Sequence, residues 1–356
     1  MGKYTIASRE LGQRIQSGTA DWKLAVLGSL VFLAIEVLQG HESGALMHLG
    51  NGRAILKGQT SPSTKDISAG NSNHRLGAET EDFVAAFTRL SVEEYPFFDL
   101  GTVVPPAMPD QPIYFADLKD ARLSLNSILT AIYSSIRRHG RNYLQVLPLS
   151  PLPHTVEAEI ARLRETLKHW LQVFENLLFH QDYDIENPIP ASVLKVQYLV
   201  IWIKVSAYFL FDETAYDQYR PLFEEIVERS EKVIEAGMRS SSKLKGPCFT
   251  LDIAMAQPLY FVARKCREPT LRRRAIGVMK KVGQEGIYTG RTIAKIAEWI
   301  VATEEKVDSA GTKVSERRFH DVAFDFHSDT RTASVLATGR TVDGMWEQKS
   351  TVLDLV

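Results

Sequence analysis

Residues Val193 to Phe211 are apolar on nearly every side of a helical wheel. A helix with no polar face has to be covered all round. That segment alone demands several further helices packed about it, and so a multi-helical array. Leu24 to Leu38 has the same character and stops at Gln39-Gly40, a glycine helix-end signal. Ala45, Leu49, Gly52 and Leu56 then share one face of a following helix, and the short link predicts an antiparallel helical hairpin.

The remaining helices read from the same rule. Ile160, Leu163, Leu167, Trp170, Phe174, Leu177 and Leu178 recur at helical spacing. Asp212-Glu-Thr214 interrupts the apolar helix, and Tyr216, Tyr219, Phe223, Ile226, Val227, Val233 and Ile234 predict the next. Pro258 fits the first turn of a helix. After Pro269, Leu271, Ala275, Val278 and Val282 form a stripe, and Ile293, Ile296, Ala297 and Ile300 make a last helix. From about Arg318 the period drops to two. Val322, Phe324 and Phe326 alternate, His327 to Arg331 forms a polar turn, and Ala333, Val335 and Ala337 alternate again. That is a β-hairpin, and Val352 to Leu355 offers a third strand.

The expected fold class is mainly α: antiparallel helical hairpins with a small C-terminal β-hairpin. A single domain over 1–356 is expected, with an N-terminal hairpin over 1–56 and a helical core over 113–305. The β-hairpin tail covers 318–356. Residues 57–112 read as irregular loops, since Gly, Ser, Thr and Asn dominate at first and five of the fifteen prolines lie in 96–112. A short helix over Glu81 to Leu90 interrupts them.

Composition narrows the partners. At 44% apolar and 24% charged residues the chain is globular, and its net charge of -1 gives no whole-molecule field for nucleic acid. Direct DNA binding would need a local patch. Leu24 to Leu38 falls short of the roughly 20 residues of a bilayer span and contains Gly28, Ser29 and Glu36. It reads as a core helix, with no membrane partner. Met1 to Ala20 lacks the apolar core of a secretory signal. Two cysteines, Cys248 and Cys266, make no disulfide framework and no structural zinc site, which points to a reducing compartment.

No catalytic motif stands out, and no cofactor or metal is called for. His41, Glu42 and His48 lack the spacing that puts two ligands one helical turn apart. His169, His180, Asp182 and Asp184 read as helix-end polar residues. His320 and His327 lie an odd interval apart on a strand, so they should not converge. Tyr198, Trp202, Tyr208, Phe209 and Phe211 fit core packing first and a small-molecule pocket second. The sharpest electrostatic feature is Arg264, Lys265, Arg267, Arg272, Arg273, Arg274, Lys280 and Lys281, with only Glu268 opposing them in that window. Three successive arginines spread over roughly 200° of a helix. The cluster therefore reads as a solvated, packed corner that caps carbonyls, with Cys266 a buried packing residue.

Four blocks, in order, resemble the regulatory domain of fungal zinc-cluster transcription factors. The first is Phe32, Glu36, Leu38 and Gly40 followed by Ala45-Leu46, His48-Leu49 and Gly52 to Leu56. The second is Leu194 to Val233 with the Glu213-Thr-Ala-Tyr-Asp217 junction. The third is Pro258 to Met279, then Gln284-Glu-Gly286 and Ala297-Glu-Trp299. The fourth is His320-Asp-Val322 with the hairpin. The resemblance implies a helical, nuclear domain of transcription regulation, often tied to secondary metabolism. It implies action through protein partners, self-association or a small-molecule effector, and it supplies no catalytic residue. The family's zinc cluster uses six cysteines, and this sequence holds two. The expectation is thus a regulator-like chain without its own DNA-binding cluster. The alternative is the same fold turned into a biosynthetic enzyme of cyclase or isomerase type.

Overall fold

The computed structural model describes residues 2–17, 21–60, 87, 113–144, 152–180, 189–210, 212–241, 249–250, 255–307, 313–315, 318–327, 329–341 and 345–355. The chain is mainly α, with a small antiparallel sheet near its C-terminus. It divides into two compact units, residues 1–104 with 328–330, and residues 105–327 with 331–356.

The first unit holds α1 (Gly2–Gln16), α2 (Trp22–Gln39) and α3 (Glu42–Thr60). Asp21 caps α2 by accepting the Lys23 amide at 3.3 Å. Gly40 ends it in the left-handed region at φ 72°, and the His41 amide reaches back to the Glu36 carbonyl at 2.9 Å. The predicted α2–α3 hairpin forms around Val26, Leu33, Val37, Ala45, Leu49 and Leu56, all buried. Gly52 lets a ring in close. A Cβ there would stand 2.2 Å from the Phe87 ring.

The reading of α2 as buried all round needs correction. α3 covers one face, which includes Ser29 and Glu36, and Leu11 of α1 lies against Gly28. Leu24, Leu27, Val31 and Leu38 stay exposed on the other side. Trp22–Gln39 and Ile189–Leu210 are also, by length and composition, long and apolar enough to cross a membrane. Buried core helices of soluble folds pass the same criterion, and most of the second is buried inside its unit.

The second unit begins with a helical meander. α4 (Leu118–Leu144), α5 (His154–His180), α6 (Ile189–Ala207) and α7 (Arg220–Ser241) follow one another, with short 3₁₀ turns at Tyr208–Leu210 and Glu213–Tyr219. The sequence stripe on α5 is the buried one: Ile160, Leu163, Leu167, Trp170, Phe174 and Leu177. The Trp170 indole donates to the Ala121 carbonyl at 3.0 Å, while Arg138 and His139 meet Glu159. These pairs set α4 and α5 antiparallel. Lys195–Glu175 at 2.9 Å and Arg164 on the Ser206 carbonyl at 3.0 Å do the same for α5 and α6. It follows that α4 and α6 run parallel.

A helical hairpin of α8 (Ala256–Lys265) and α9 (Pro269–Met279) comes next, then α10 (Gly290–Glu304). Each start is satisfied by a side chain. Glu285 accepts the Met255 and Ala256 amides at 3.0 and 2.9 Å, and Thr289 accepts the Thr292 amide at 3.1 Å. Glu268 caps α9 ahead of Pro269. Short strands β1 (Phe249–Thr250), β2 (Gln284–Glu285) and β3 (Tyr288–Thr289) form one small sheet, and β4 (Glu305–Val307) pairs with β5 (Lys313–Ser315). The alternation at the C-terminus predicted neither.

The predicted hairpin is β6 (Arg318–His327) and β7 (Thr332–Arg340), in the register that pairs Val322 with Ala337, Phe324 with Val335 and Phe326 with Ala333. β8 (Trp346–Asp354) adds a third antiparallel strand, longer than the sequence pattern showed. The inner face of β6 packs on aromatics. Trp299 stacks on Phe319 at 6.4 Å, and Tyr260 and Tyr288 meet Phe324 edge-on.

Two glycines give opposite expectations. A Cβ on Gly290 would sit 2.3 Å from the Met279 carbonyl oxygen and 2.6 Å from the Val282 Cβ. Backbone cannot yield as a side-chain tip can, so Gly290→Ala is expected to cost about 1–3 kcal/mol. Gly277 in α9 has nothing within 4 Å of a Cβ, so Gly277→Ala is expected to gain up to about 1 kcal/mol of helix propensity. Urea unfolding midpoints of the two variants should move in opposite directions.

Candidate ligand site

Most of the basic cluster is paired with acids, and two of its members are buried. Arg272 and Glu304 form an ion pair with side chains 1% and 2% exposed. The Arg272 Nε also donates to the Ala263 carbonyl at 2.8 Å, and Glu305 stands 3.5 Å from its Nη1. Arg273 pairs with the other oxygen of Glu305. Lys265 donates to both oxygens of Glu213 at 2.7 Å. Arg267 meets Asp217 at 3.1 Å, and the Arg274 Nε meets Glu231 at 3.0 Å. Arg264 donates to the His320 carbonyl at 3.3 Å and lies over the Tyr260 ring. Lys280 pairs with Glu298, and Lys281 is exposed. The expectation of a solvated corner is therefore corrected for Lys265 and Arg272, which are buried. Their acids arrive from 32 to 52 residues away, beyond any local count of charges.

These pairs tie four elements together. Arg318 at the start of β6 donates to the carbonyls of Glu213 and Lys265 at 3.0 and 3.3 Å, and Glu304 accepts the Phe319 amide at 2.9 Å. Burial, and then the nearby Arg267 charge, hold Arg318 down to about 10. The sheet is thus fastened to the 3₁₀ turn, α8 and α10 through charge-assisted hydrogen bonds.

Lys204 on α6 is held differently. Its ammonium donates to the Tyr133 hydroxyl of α4 at 2.9 Å. It stands 5.0 Å from the ring centroids of both Tyr133 and Phe261. Among the described residues no carboxylate pairs with it. Three core helices, α4, α6 and α8, therefore meet at one amine in an aromatic box. The residue as a whole is half-buried, with its ammonium enclosed by protein. Burial comes first, and then the positive charges of Arg264 and Lys265, in pushing its pKa down to about 7.

A polar strip continues from this amine. Asn126 lies seven residues before Tyr133 on α4, and Gln197 lies seven before Lys204 on α6. Seven residues are close to two helical turns, so each pair shares a face. With the helices parallel and Tyr133 bonded to Lys204, the helical repeat puts Asn126 and Gln197 at matching levels of α4 and α6. The Nδ2 of Asn126 and the Oε1 of Gln197 are buried with no hydrogen-bond partner. A buried donor or acceptor left unmade costs about 1–3 kcal/mol, so this seam has polar capacity that the fold itself does not fill.

The other sequence candidates lie elsewhere. Tyr198 stacks between Trp170 at 5.8 Å and Trp202 at 6.4 Å, and Trp170 stacks on Phe174 at 4.7 Å. That ladder is core packing, and burial lifts the Tyr198 hydroxyl to about 12. Tyr208 and Phe209 meet edge-on, and Phe211 lies outside the described residues. His41 bonds to Glu36 at 2.9 Å while His48 lies against Phe32 at 5.4 Å. His169 and His180 are exposed, Glu42 opens α3, and Asp182 and Asp184 fall outside the described residues. His320 faces Glu213 and Trp346, whereas His327 bonds to Ser334 at 2.8 Å. The two histidines do not converge. Cys266 is buried at the end of α8, and Cys248 falls outside the described residues. Among the described residues no group of three or more His, Cys, Asp or Glu side chains is placed to hold a metal. Sequence reasoning missed Lys204. Its signal was a lysine far inside a largely apolar helix whose other lysine, Lys195, pairs with Glu175.

Comparison of the chain with family models, with curated proteins and with solved structures finds no match.

Proposed function

We propose that this chain is an effector-responsive regulatory domain of the transcription-regulator type, acting in the nucleus through a bound small molecule and protein contacts. The resemblance of its four sequence blocks supports the regulatory part. One structural observation carries the effector part: the uncompensated amine of Lys204, boxed by Tyr133 and Phe261 where α4, α6 and α8 meet. Phe261 stands three residues before Arg264 and four before Lys265 on α8, and those two hold the His320 carbonyl and Glu213. A ligand that moves α8 would thus reach the C-terminal sheet through fixed hydrogen bonds. The basic corner supports the same view from the other side, since Arg267, Arg272, Arg273 and Arg274 are paired with carboxylates of the chain itself.

A second reading rests on the same amine. A lysine near neutrality beside a tyrosine hydroxyl is also a general acid–base pair, which would suit a biosynthetic enzyme of cyclase or isomerase type. Deletion of the gene separates the two. Loss of transcripts, restored by the wild-type gene and not by Lys204→Met, is the expected result. Unchanged transcripts with an accumulating small-molecule intermediate would overturn the regulatory reading in favour of the enzyme.

A further inference from the structure

We propose that Lys204 is a covalent capture site for a small apolar aldehyde or ketone, held as an imine in the seam between α4 and α6. This rests on the reading of that seam as a ligand site and names the ligand's chemistry. The geometry supplies each requirement of the reaction. Among the described residues no carboxylate holds the amine as a cation, and burial first, then the charges of Arg264 and Lys265 on α8, work against its protonation. Those are the conditions that make a lysine nucleophilic. Tyr133 and Phe261 give the ligand apolar walls. The Tyr133 hydroxyl, 2.9 Å from Nζ, is placed to pass protons. The free amide atoms of Asn126 and Gln197 can take a polar group at the ligand's far end.

The chemistry balances without any oxidant or cofactor. The Nζ lone pair adds to the carbonyl carbon, and the carbonyl oxygen takes up a proton to give a carbinolamine. The nitrogen then expels that oxygen as water while a C=N bond forms. One water leaves for each imine made, and the Tyr133 hydroxyl relays the proton from nitrogen to departing oxygen.

An amine with a pKa of about 7 is half neutral at pH 7, whereas an ordinary surface lysine is neutral to roughly one part in a few thousand. The neutral fraction thus favours Lys204 on the order of a thousandfold. The test is to incubate the full chain at pH 7 with benzaldehyde and sodium cyanoborohydride, which reduces an imine to a stable benzylamine, and to map the label by peptide mass spectrometry. Lys204 should be labelled at least tenfold faster than Lys168 and Lys195, which are paired to carboxylates. In Tyr133→Phe the rate at Lys204 should fall severalfold with Lys168 unchanged. Labelling of Lys204 no faster than that of Lys168 overturns the proposal, as does a Lys204 rate that Tyr133→Phe leaves untouched. The two readings fail separately. An unlabelled Lys204 with transcripts lost on deletion sinks the imine alone, while a labelled Lys204 with unchanged transcripts sinks the regulatory function alone.

Discussion

Glu304→Ala is expected to lower the unfolding free energy by about 3–5 kcal/mol, the cost of stranding a buried charge. The affected charge is Arg272, whose side chain is 1% exposed. Two losses combine. The guanidinium loses its closest carboxylate, and the Phe319 amide loses its acceptor at 2.9 Å. Among the described residues Glu305, 3.5 Å from Arg272, is the acid left to compensate, and it already serves Arg273. The effect should therefore not vanish by rearrangement. The pair itself, however, is worth far less than its breakage. Replacing both residues, Arg272→Met with Glu304→Leu, should recover much of the loss, because no guanidinium is then stranded and Glu305 keeps its pair with Arg273. Urea unfolding of the single and double variants measures both. A single variant within 1 kcal/mol of the parent would show that the guanidinium reaches water, contrary to its burial.

That network marks the boundary between what the sequence reveals and what only folding assembles. Patterns that depend on neighbours along the chain were legible. The α5 stripe from Ile160 to Leu177 is buried as read, and Val322, Phe324 and Phe326 face Ala337, Val335 and Ala333 in the expected hairpin. The glycine stop at Gly40 and the proline start at Pro269 also hold. Burial against distant partners was not legible. Arg272 belongs to a run of three arginines, and only the arrival of Glu304 turns it into a core residue. α2 looked central because it is apolar all round, yet Leu24, Leu27, Val31 and Leu38 stay exposed beside its neighbours. Two-residue strands such as β1 and β2 carry no period to detect. Lys204 combined both problems. Its helix was correctly read as core, and the same apolar pattern drew the eye to Tyr198 and Trp202, which only pack. What makes Lys204 distinctive is a missing carboxylate, and a missing partner has no signature in sequence.

Lys204→Met should stabilise the protein, and the gain should depend on pH in one direction. In the unfolded chain the amine has its ordinary pKa of about 10.5, and in the folded protein about 7. Above about pH 10.5 it is neutral in both states and costs nothing. From 10.5 down to 7 the unfolded chain takes up the proton and the folded protein does not, so stability falls as pH falls. Below about 7 both states are charged and the loss is complete. Since the residue as a whole is half-buried and partly screened, that loss is about 3 kcal/mol, less than the full pKa difference implies. Methionine has nearly the same shape and no charge. At pH 6 the variant should therefore exceed the parent by about 3 kcal/mol, and the advantage should shrink steadily towards pH 10. Urea unfolding at pH 6, 8 and 10 checks both size and sign. A difference that is constant over this range, or that grows with pH, would mean that Lys204 keeps an ordinary charge in the fold. The gain would also show why the lysine is a costly residue for folding alone: α6 would be more stable without it.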